Sequence, residues 1–249
     1  MIIKSVIEYV RLKVRKLLDH YFGRVPKMHK IPFGPLKGEN ILMSFNDCPA
    51  IFFGYHEIKL LKIAERNIKA GQVIYDVGAH LGYNSLFYSR LVSDCGSVHA
   101  FELIPETANM LKKTIENSDS HNIYIHNIGL GKEHIKKTFI YDDRKMGSIL
   151  YREKNIMLKP GNRFTTIAEI YSLDEYFSIN NLDPPNFIKV DIEGGEIDFL
   201  NGASHVISKF RPDLMIEFRD LAILKRGYEF LNNQDYVIYQ RYIDRSNFY

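Results

Sequence analysis

Two short segments of the chain place carboxylates beside glycine turns. The first, residues 73–82, reads VIYDVGAHLG: an apolar run leads to Asp76, then to a turn containing Gly78 and Gly82. Glycines let the backbone approach a ligand closely, and a helix that begins after the turn adds the positive end of its dipole. Glu102 follows 20 residues after Gly82, at a spacing where a carboxylate commonly binds a ribose diol. Together they predict a nucleoside-binding site.

The side chains of this turn favour one class of nucleoside. Dinucleotide-binding turns have a glycine at the middle position, where the pyrophosphate approaches, but this chain has His80 there. Asp76 would also repel a phosphate and attract a cation. S-adenosylmethionine carries a sulfonium and an ammonium and no phosphate, so it fits better than NAD. An NAD(P)-dependent oxidoreductase or epimerase, or a non-catalytic nucleoside-binding module, is the alternative.

The second segment, residues 187–196, reads FIKVDIEGGE. In an extended strand Asp191 and Glu193 share one face, because side chains alternate with period two. Methyl transfer to a hydroxyl requires removal of its proton, and Asp191, Glu193 and His80 are the candidate catalytic residues. Asp191, Glu193 and Glu217 are also oxygen ligands suited to a divalent metal, so a metal site remains an alternative to a carboxylate base. Glu196 is expected to stabilise the start of the next helix.

From residue 72 onward, the elements that position these residues alternate between strand and helix. Short β-branched runs predict strands at 73–77, 97–103, 123–128, 186–192, 214–218 and 236–239. Helical patterns cover 83–92, 105–117, 196–208 and the region ending at 231. This order predicts an α/β fold, a doubly wound, Rossmann-like and mostly parallel sheet with helices on both faces. In it the 186–192 strand lies beside the 73–77 strand, so Asp191 and Glu193 would face the cofactor cleft.

Residues 130–185 interrupt this order. Residues 138–141 predict an extra strand, and Ser172 with Glu175 forms a capping-box pattern that we interpret as structural. We expect this insertion to lie over the carboxyl edge of the sheet, on the substrate side. The predicted organisation is an N-terminal extension, residues 1–71, followed by a cofactor-binding domain, residues 72–249.

The N-terminal extension has its own charge pattern. Residues 1–30 hold eight Lys/Arg and two Asp/Glu, whereas the rest holds 25 and 28, so a basic leader precedes a mildly acidic body. Residues 2–22 have the apolar spacing of an amphipathic helix, and residues 57–69 predict a second helix. The leader helix could contact an anionic membrane surface or pack on protein, including a homodimer partner; packing is the commoner fate. The acidic body offers no second basic patch, so nucleic acid is not an expected partner.

Composition places the chain among ordinary globular proteins. It has 249 residues, 45% hydrophobic and 25% charged, with a net charge of +3. These values exclude disordered, collagen-like and coiled-coil classes. Two cysteines form no disulfide framework, and no apolar run reaches the roughly 20 residues of a membrane span. We therefore expect a cytoplasmic protein, with membrane association through residues 1–22 as an alternative.

These segments together resemble the FkbM family of S-adenosylmethionine-dependent methyltransferases. The resemblance runs from about Gly54 to Phe218 and includes, in chain order, residues 54–57, 76–82, 100–102, 172–174, 188–196 and 212–217. The 188–196 motif is the most specific of these. Leu103 stands where the family often has Pro, and Gly195 where it usually has Ala. Neither change removes a charged group.

The resemblance implies O-methylation, often of sugar hydroxyls in glycans, glycolipids or natural products. It supports the transfer of binding or catalytic roles to Asp76, Gly78, Glu102, Asp191 and Glu193. The full candidate cofactor-binding set comprises Asp76, Gly78, Ala79, His80, Gly82, Tyr83, Asn84, Glu102, Leu103 and Gly129. The cofactor expected there is S-adenosylmethionine, and the partner is a saccharide or small-molecule hydroxyl acceptor.

Overall fold

A computed structural model describes residue 13 and residues 25–45, 48–142, 163–192 and 194–239. The leader helix predicted over residues 2–22 lies outside these ranges except for Lys13, and Glu193 also lies outside them. The membrane and homodimer alternatives for the leader therefore stay predictions.

The described residues form ten strands and eight helices. The strands are β1 (Lys27–Lys30), β2 (Asn40–Met43), β3 (Val73–Val77), β4 (Ser97–Phe101), β5 (Ile123–His126), β6 (Gly129–Gly131), β7 (Ile135–Asp142), β8 (Arg163–Ser172), β9 (Phe187–Val190) and β10 (Asp213–Ile216). The helices are α1 (Pro49–Phe52), α2 (Ile58–Asn67), α3 (Tyr83–Val92), α4 (Pro105–Glu116), α5 (Leu173–Ile179), α6 (Glu196–Gly202), α7 (Ser204–Phe210) and α8 (Leu221–Asn233).

Five of the strands form a central parallel sheet in the order β10-β9-β3-β4-β5. The predicted α/β class and the parallel sheet are confirmed. Val77 at the end of β3 pairs with Val190 of β9 on one side and with Phe101 of β4 on the other. The carboxyl ends of β9, β3 and β4 therefore meet at one edge, where ligands bind in open α/β sheets.

Helices cover both faces of this sheet, as predicted. On one face Ile74, Val98 and Phe187 pack with side chains of α2 and α3. On the other face Tyr75 and Val190 lie in a cluster with side chains of α6, α7 and α8. Because successive side chains of a strand point to opposite faces, Asp76 and Lys189 lie on the α3 face. Both are buried there.

A second sheet, in the order β6-β8-β7, forms within the insertion. Strand β8 pairs antiparallel with β7 and parallel with β6. This sheet contacts α6 where two glycines meet: a side chain at Gly202 would collide with the carbonyl oxygen of Gly131. Ser172 caps α5 by accepting a hydrogen bond from the Glu175 backbone N–H at 3.2 Å, as the capping pattern predicts.

Most predicted elements differ from the observed ones by a few residues at their ends, and three of them differ in ways that have a visible structural origin or outcome. The helix predicted over 196–208 is two helices, because the Asp174 carboxylate accepts the N–H groups of His205 and Val206 and so begins α7 separately. The strand predicted at 123–128 ends at His126 as β5, and the next strand, β6, begins at Gly129 in a different sheet. The strand predicted at 236–239 is wrong: the described segment has no strand there, and Tyr236 instead donates to the Pro212 carbonyl at 3.0 Å.

Among the described residues, no helix is both long enough and apolar enough to cross a lipid bilayer.

Candidate active site

A tight turn after β3 forms the floor of the candidate site. Gly78 and Gly82 have φ of +82° and +88°. A side chain at Gly78 would collide with the Asp191 carbonyl oxygen, and a Cβ at Gly82 would lie 2.6 Å from Leu111. Both positions therefore require glycine. His80, between them, has φ of +51°, a region that costs a non-glycine residue energy and is typical of functional turns.

Glu102 holds this turn to the end of β4. One carboxylate oxygen accepts the His80 backbone N–H at 2.9 Å, and the other accepts the Ile104 N–H at 2.9 Å. The side chain is only 6% exposed. Burial raises the pKa of Glu102 to about 7, although the two backbone hydrogen bonds favour the ionised form. Each oxygen keeps a second lone pair, so the carboxylate can still accept from a ligand's hydroxyl groups.

Asp76 lies beneath the turn and is fully buried. Ser85 donates to its carboxylate at 2.6 Å, and the Lys189 ammonium lies 3.7 Å from the other oxygen. Burial raises the pKa of Asp76, an effect that Lys189 and Ser85 oppose. Asp76 is absent from the walls of the cleft above the turn. The structure thus places it as the counter-ion of a buried lysine.

That lysine is a functional residue that the sequence analysis missed. Its ammonium lies 3.5 Å from Asp191 Oδ2 and 3.5 Å from the Gly78 carbonyl oxygen. Burial alone would lower the pKa of Lys189, but the carboxylates of Asp191, Asp76 and Glu57 raise it. The available signal was a lysine inside the otherwise apolar strand FIKV of β9. A charge there has to find a partner inside the fold.

Asp191, the first candidate base, follows β9 directly and lines the cleft. Its side chain is 28% exposed, so a ligand can reach it while Lys189 holds it. His80 lines the same cleft, whereas Glu193 lies outside the described residues. Glu196 begins α6, as predicted, and accepts the Gly194 N–H at 2.6 Å.

A second carboxylate in the cleft also escaped the sequence analysis. Glu57 is the N-cap of α2 and has φ of +47°. It accepts a hydrogen bond from Asn84 Nδ2 at 2.8 Å and pairs with His56 Nε2 at 3.1 Å. Burial would raise its pKa, but His56, Lys189 and Asn84 together lower the pKa of Glu57 to about 2. The resemblance covers this residue, yet the motif GYHE by itself indicates no contact with α3.

Glu57, Glu102, Lys189 and Asp191 line one cleft of about 790 Å³, within the usual range for small-molecule sites. Of the ten predicted cofactor-binding residues, eight line it: Gly78, Ala79, His80, Tyr83, Asn84, Glu102, Leu103 and Gly129. Asp76 and Gly82 lie behind this wall and shape it. The opposite wall comes from the second sheet and includes Lys132, Glu133 and Lys137.

The metal alternative has limited support in the described residues. Asp191 and Glu217 both line the cleft, and the Glu217 N–H bonds to the Val190 carbonyl at 2.9 Å beside it. Across the described ranges, no group of three His, Cys, Asp or Glu side chains is arranged to hold a metal ion. Glu193, the third predicted ligand, is outside those ranges, so a metal site is not assigned.

Most of the chain matches the sequence profile of a known family. The profile of the Methyltransferase FkbM domain matches residues 76–238, well over half of the chain. A curated relative, Methyltransferase 1 of Beauveria bassiana (strain ARSEF 2860), is 27% identical over 143 residues. That match covers 52% of this chain and 57% of the relative, so the chain spans little more than half the length of the curated protein it matches.

Two solved structures are similar to parts of the chain. Methyltransferase FkbM from Methylobacillus flagellatus KT is 18% identical with a TM-score of 0.44, over 72% of this chain and 45% of that protein. Fibrillarin from Aeropyrum pernix, solved with natively bound S-adenosyl-L-methionine, is 12% identical with a TM-score of 0.46, over 85% and 79% of the two chains.

Proposed function

The chain belongs to the FkbM methyltransferase family, and from that membership we propose that it is an S-adenosylmethionine-dependent O-methyltransferase. Its acceptor is a hydroxyl group of a saccharide, in a glycan, a glycolipid or a natural product. One observation carries the proposal: a single cleft is lined both by Glu102, the predicted ribose-binding residue, and by Asp191, a carboxylate at the same edge of the central sheet.

The residues of the turn fit this cofactor. Glu102 has spare lone pairs for a ribose diol. The turn brings backbone close to the ligand at Gly78, where a side chain would not fit. Glu57 and Asp191 line the same cleft, and carboxylates favour a cationic ligand over a pyrophosphate. These features support S-adenosylmethionine over NAD.

When bound, S-adenosylmethionine supplies a methyl group on a positively charged sulfur. Asp191 accepts the proton of the acceptor hydroxyl in this proposal, as a general base within reach of the cleft. Lys189 fixes the Asp191 carboxylate from behind, which limits its movement during the reaction. The second sheet contributes residues to the wall of the cleft, and in this proposal that wall limits the access of water to the reacting groups.

The acceptor side of the cleft supports a polyhydroxylated ligand. Charged side chains at this wall and rim include Lys132, Glu133, Asp198 and Asp220. Such side chains can donate to and accept from several hydroxyl groups at once. All four side chains are exposed, so they are open to the hydroxyl groups of an acceptor at the rim.

The test combines cofactor binding with methyl transfer in the full chain. We expect micromolar binding of S-adenosylhomocysteine and no binding of NAD by calorimetry, followed by transfer of labelled methyl groups to cell glycan or lipid extracts. Asp191→Asn should bind S-adenosylhomocysteine within about twofold of the wild type, yet lose methyl transfer roughly 100-fold or more, because the amide cannot accept the proton.

Two results would contradict this proposal. Binding of NAD in preference to S-adenosylhomocysteine would favour the oxidoreductase alternative. Full activity of Asp191→Asn on the labelled acceptor would remove Asp191 as the base. Lys62→Met, a change on the exposed face of α2, is the control for non-specific effects on the assay.

A further inference from the structure

We propose that Glu57, together with Asn84, binds the α-ammonium group of the cofactor's amino-acid part. This inference rests on the proposed function and adds a subsite to it. Glu57 precedes the 76–238 segment that matches the family profile, so the subsite joins the upstream segment to the methyltransferase domain.

The Glu57 carboxylate is held in place yet reachable. Asn84 and His56 fix it at 2.8 Å and 3.1 Å, and about a fifth of the side chain is exposed (20%). Glu57, His56 and Asn84 all line the cleft. A carboxylate with its direction already fixed loses little conformational entropy when it binds a ligand.

The charges near Glu57 favour an added cation. Three described carboxylates, Glu57, Asp76 and Asp191, interact with the buried ammonium of Lys189. Two of them, Asp76 and Asp191, lie within 4 Å of that ammonium. Lys189 is a single positive charge shared by these three carboxyl groups. A ligand ammonium beside Glu57 would add a second attraction at short range.

Asn84 offers a second acceptor next to the carboxylate. Because an ionised carboxylate only accepts, the amide nitrogen of Asn84 has to face Glu57. Asn84 is 7% exposed, and its Oδ1 has no hydrogen-bond donor among the described residues. A buried acceptor without a donor costs free energy. An ammonium, with three N–H groups, can satisfy both Asn84 Oδ1 and Glu57.

The proposed ammonium subsite at Glu57 is separate from the predicted ribose position at Glu102. Glu102 follows β4, on one side of β3, whereas Lys189, whose charge acts on Glu57, belongs to β9, on the other side. The glycine turn lies between, bonded to Glu102 through His80, and Asn84 of the following helix contacts Glu57. A ligand that places its ribose at Glu102 and extends across the turn brings its far end to Glu57.

The experiment compares two ligands that differ in whether they carry the amino-acid part of the cofactor. S-adenosylhomocysteine carries the amino-acid part, and methylthioadenosine keeps the adenosine and the sulfur but lacks it. For Glu57→Gln, calorimetry should show roughly 10–100-fold weaker binding of S-adenosylhomocysteine, the usual loss for a hydrogen bond to a charged group. Methylthioadenosine should bind within about twofold of the wild type. The matched variant Glu102→Gln should weaken both ligands by the same factor.

Other outcomes separate the two proposals. Equal losses for both ligands in Glu57→Gln, or no loss for either, would overturn the ammonium subsite while leaving the proposed function intact. If the wild type binds neither ligand, the proposed function fails and the subsite fails with it. Should Glu57→Gln not fold, Asn84→Ala provides the same comparison and should weaken S-adenosylhomocysteine alone. S-adenosylhomocysteine without its amino group should bind the wild type and Glu57→Gln equally.

Discussion

Glu57 and Glu102 line the same cleft, but their carboxylates are stabilised in opposite ways. Glu102 is held by two backbone N–H groups and forms no ion pair among the described residues; burial raises its pKa to about 7, although the charge of Lys189 lowers it. Glu57 has Asn84, His56 and the charge of Lys189 nearby, and its pKa is lowered to about 2. At Glu102 burial outweighs the two backbone donors and the charge of Lys189, whereas at Glu57 the contributions of His56, Lys189 and Asn84 together outweigh burial. One end of the cleft is therefore poised to titrate near neutral pH, and the other stays ionised.

The largest expected effect comes from removing Lys189, the buried cation of β9. Lys189→Met leaves Asp76 buried without its counter-ion, and the loss of one partner of a buried pair costs about 3–5 kcal/mol. We expect the free energy of unfolding in urea at neutral pH to fall by that amount. The exposed change Lys62→Met should alter it by less than about 0.5 kcal/mol.

A small loss in Lys189→Met, equal to that of Lys62→Met, would show that Lys189 is not a stabilising counter-ion of Asp76. The double variant Lys189→Met with Asp76→Asn sharpens the result. It should recover part of the lost stability, because it removes the unpaired carboxylate together with its partner.

The second largest expected effect is the contribution of Glu57 to the free energy of unfolding, which is lost at acidic pH. Its folded pKa of about 2 lies below its ordinary value of 4.5, so the contribution is present above pH 4.5 and lost as pH falls towards 2. The shift corresponds to about 3 kcal/mol. The difference in unfolding free energy between the wild type and Glu57→Gln should therefore shrink as pH falls through this range, as measured by urea titration at each pH.

Comparing the wild type with Glu57→Gln cancels the contributions that other titrating groups make to the pH dependence of stability. Burial lowers the pKa values of His99 and His126 to about 4, so the stability that these two histidines contribute is also lost as pH falls from about 6.5 to 4. That loss is the same in the wild type and in Glu57→Gln. A difference that stays constant down to the lowest pH would mean that Glu57 has no lowered pKa.

The smallest effect concerns ligand binding at the Glu102 end. Because an ionised carboxylate accepts ribose hydroxyls better, binding of methylthioadenosine should weaken as pH falls below the Glu102 pKa of about 7. We expect a loss of up to about tenfold per pH unit, measured by calorimetry between roughly pH 8 and pH 6. The ratio of S-adenosylhomocysteine to methylthioadenosine affinity should stay constant, since Glu57 remains ionised throughout. A pH-independent affinity in the wild type, equal to that of Glu102→Gln, would contradict this.

The local sequence pattern was sufficient to predict much of the central sheet and part of the candidate active site. The bounds of β3 and α3 agree with the predicted 73–77 and 83–92, because an apolar run, a glycine turn and a helical pattern all lie within 20 residues. Glu102 and Asp191 line the cleft for the same reason: each follows a recognisable strand. The assignment of binding and catalytic roles to these residues stays a prediction.

Contacts between distant residues could not be predicted. Lys189 and Asp76 are 113 positions apart, and Glu57 and Asn84 are 27 apart. Nothing in either segment alone indicates that the two meet. The break between α6 and α7 is a similar case, since Asp174 of α5 provides the cap. A carboxylate such as Asp76 can be recognised in the sequence as important, but whether it meets the ligand or a lysine depends on which side chain the neighbouring strand contributes.

The contact between Gly131 and Gly202 has a consequence for how the shape of the cleft can change. It joins the second sheet, which contributes to the wall of the cleft, to the helix that follows Asp191. One added carbon atom at Gly202 would push the two apart and shift that wall relative to Asp191. A substitution remote from the cleft could therefore reshape one wall, while the part built on β3 and β4 keeps its geometry.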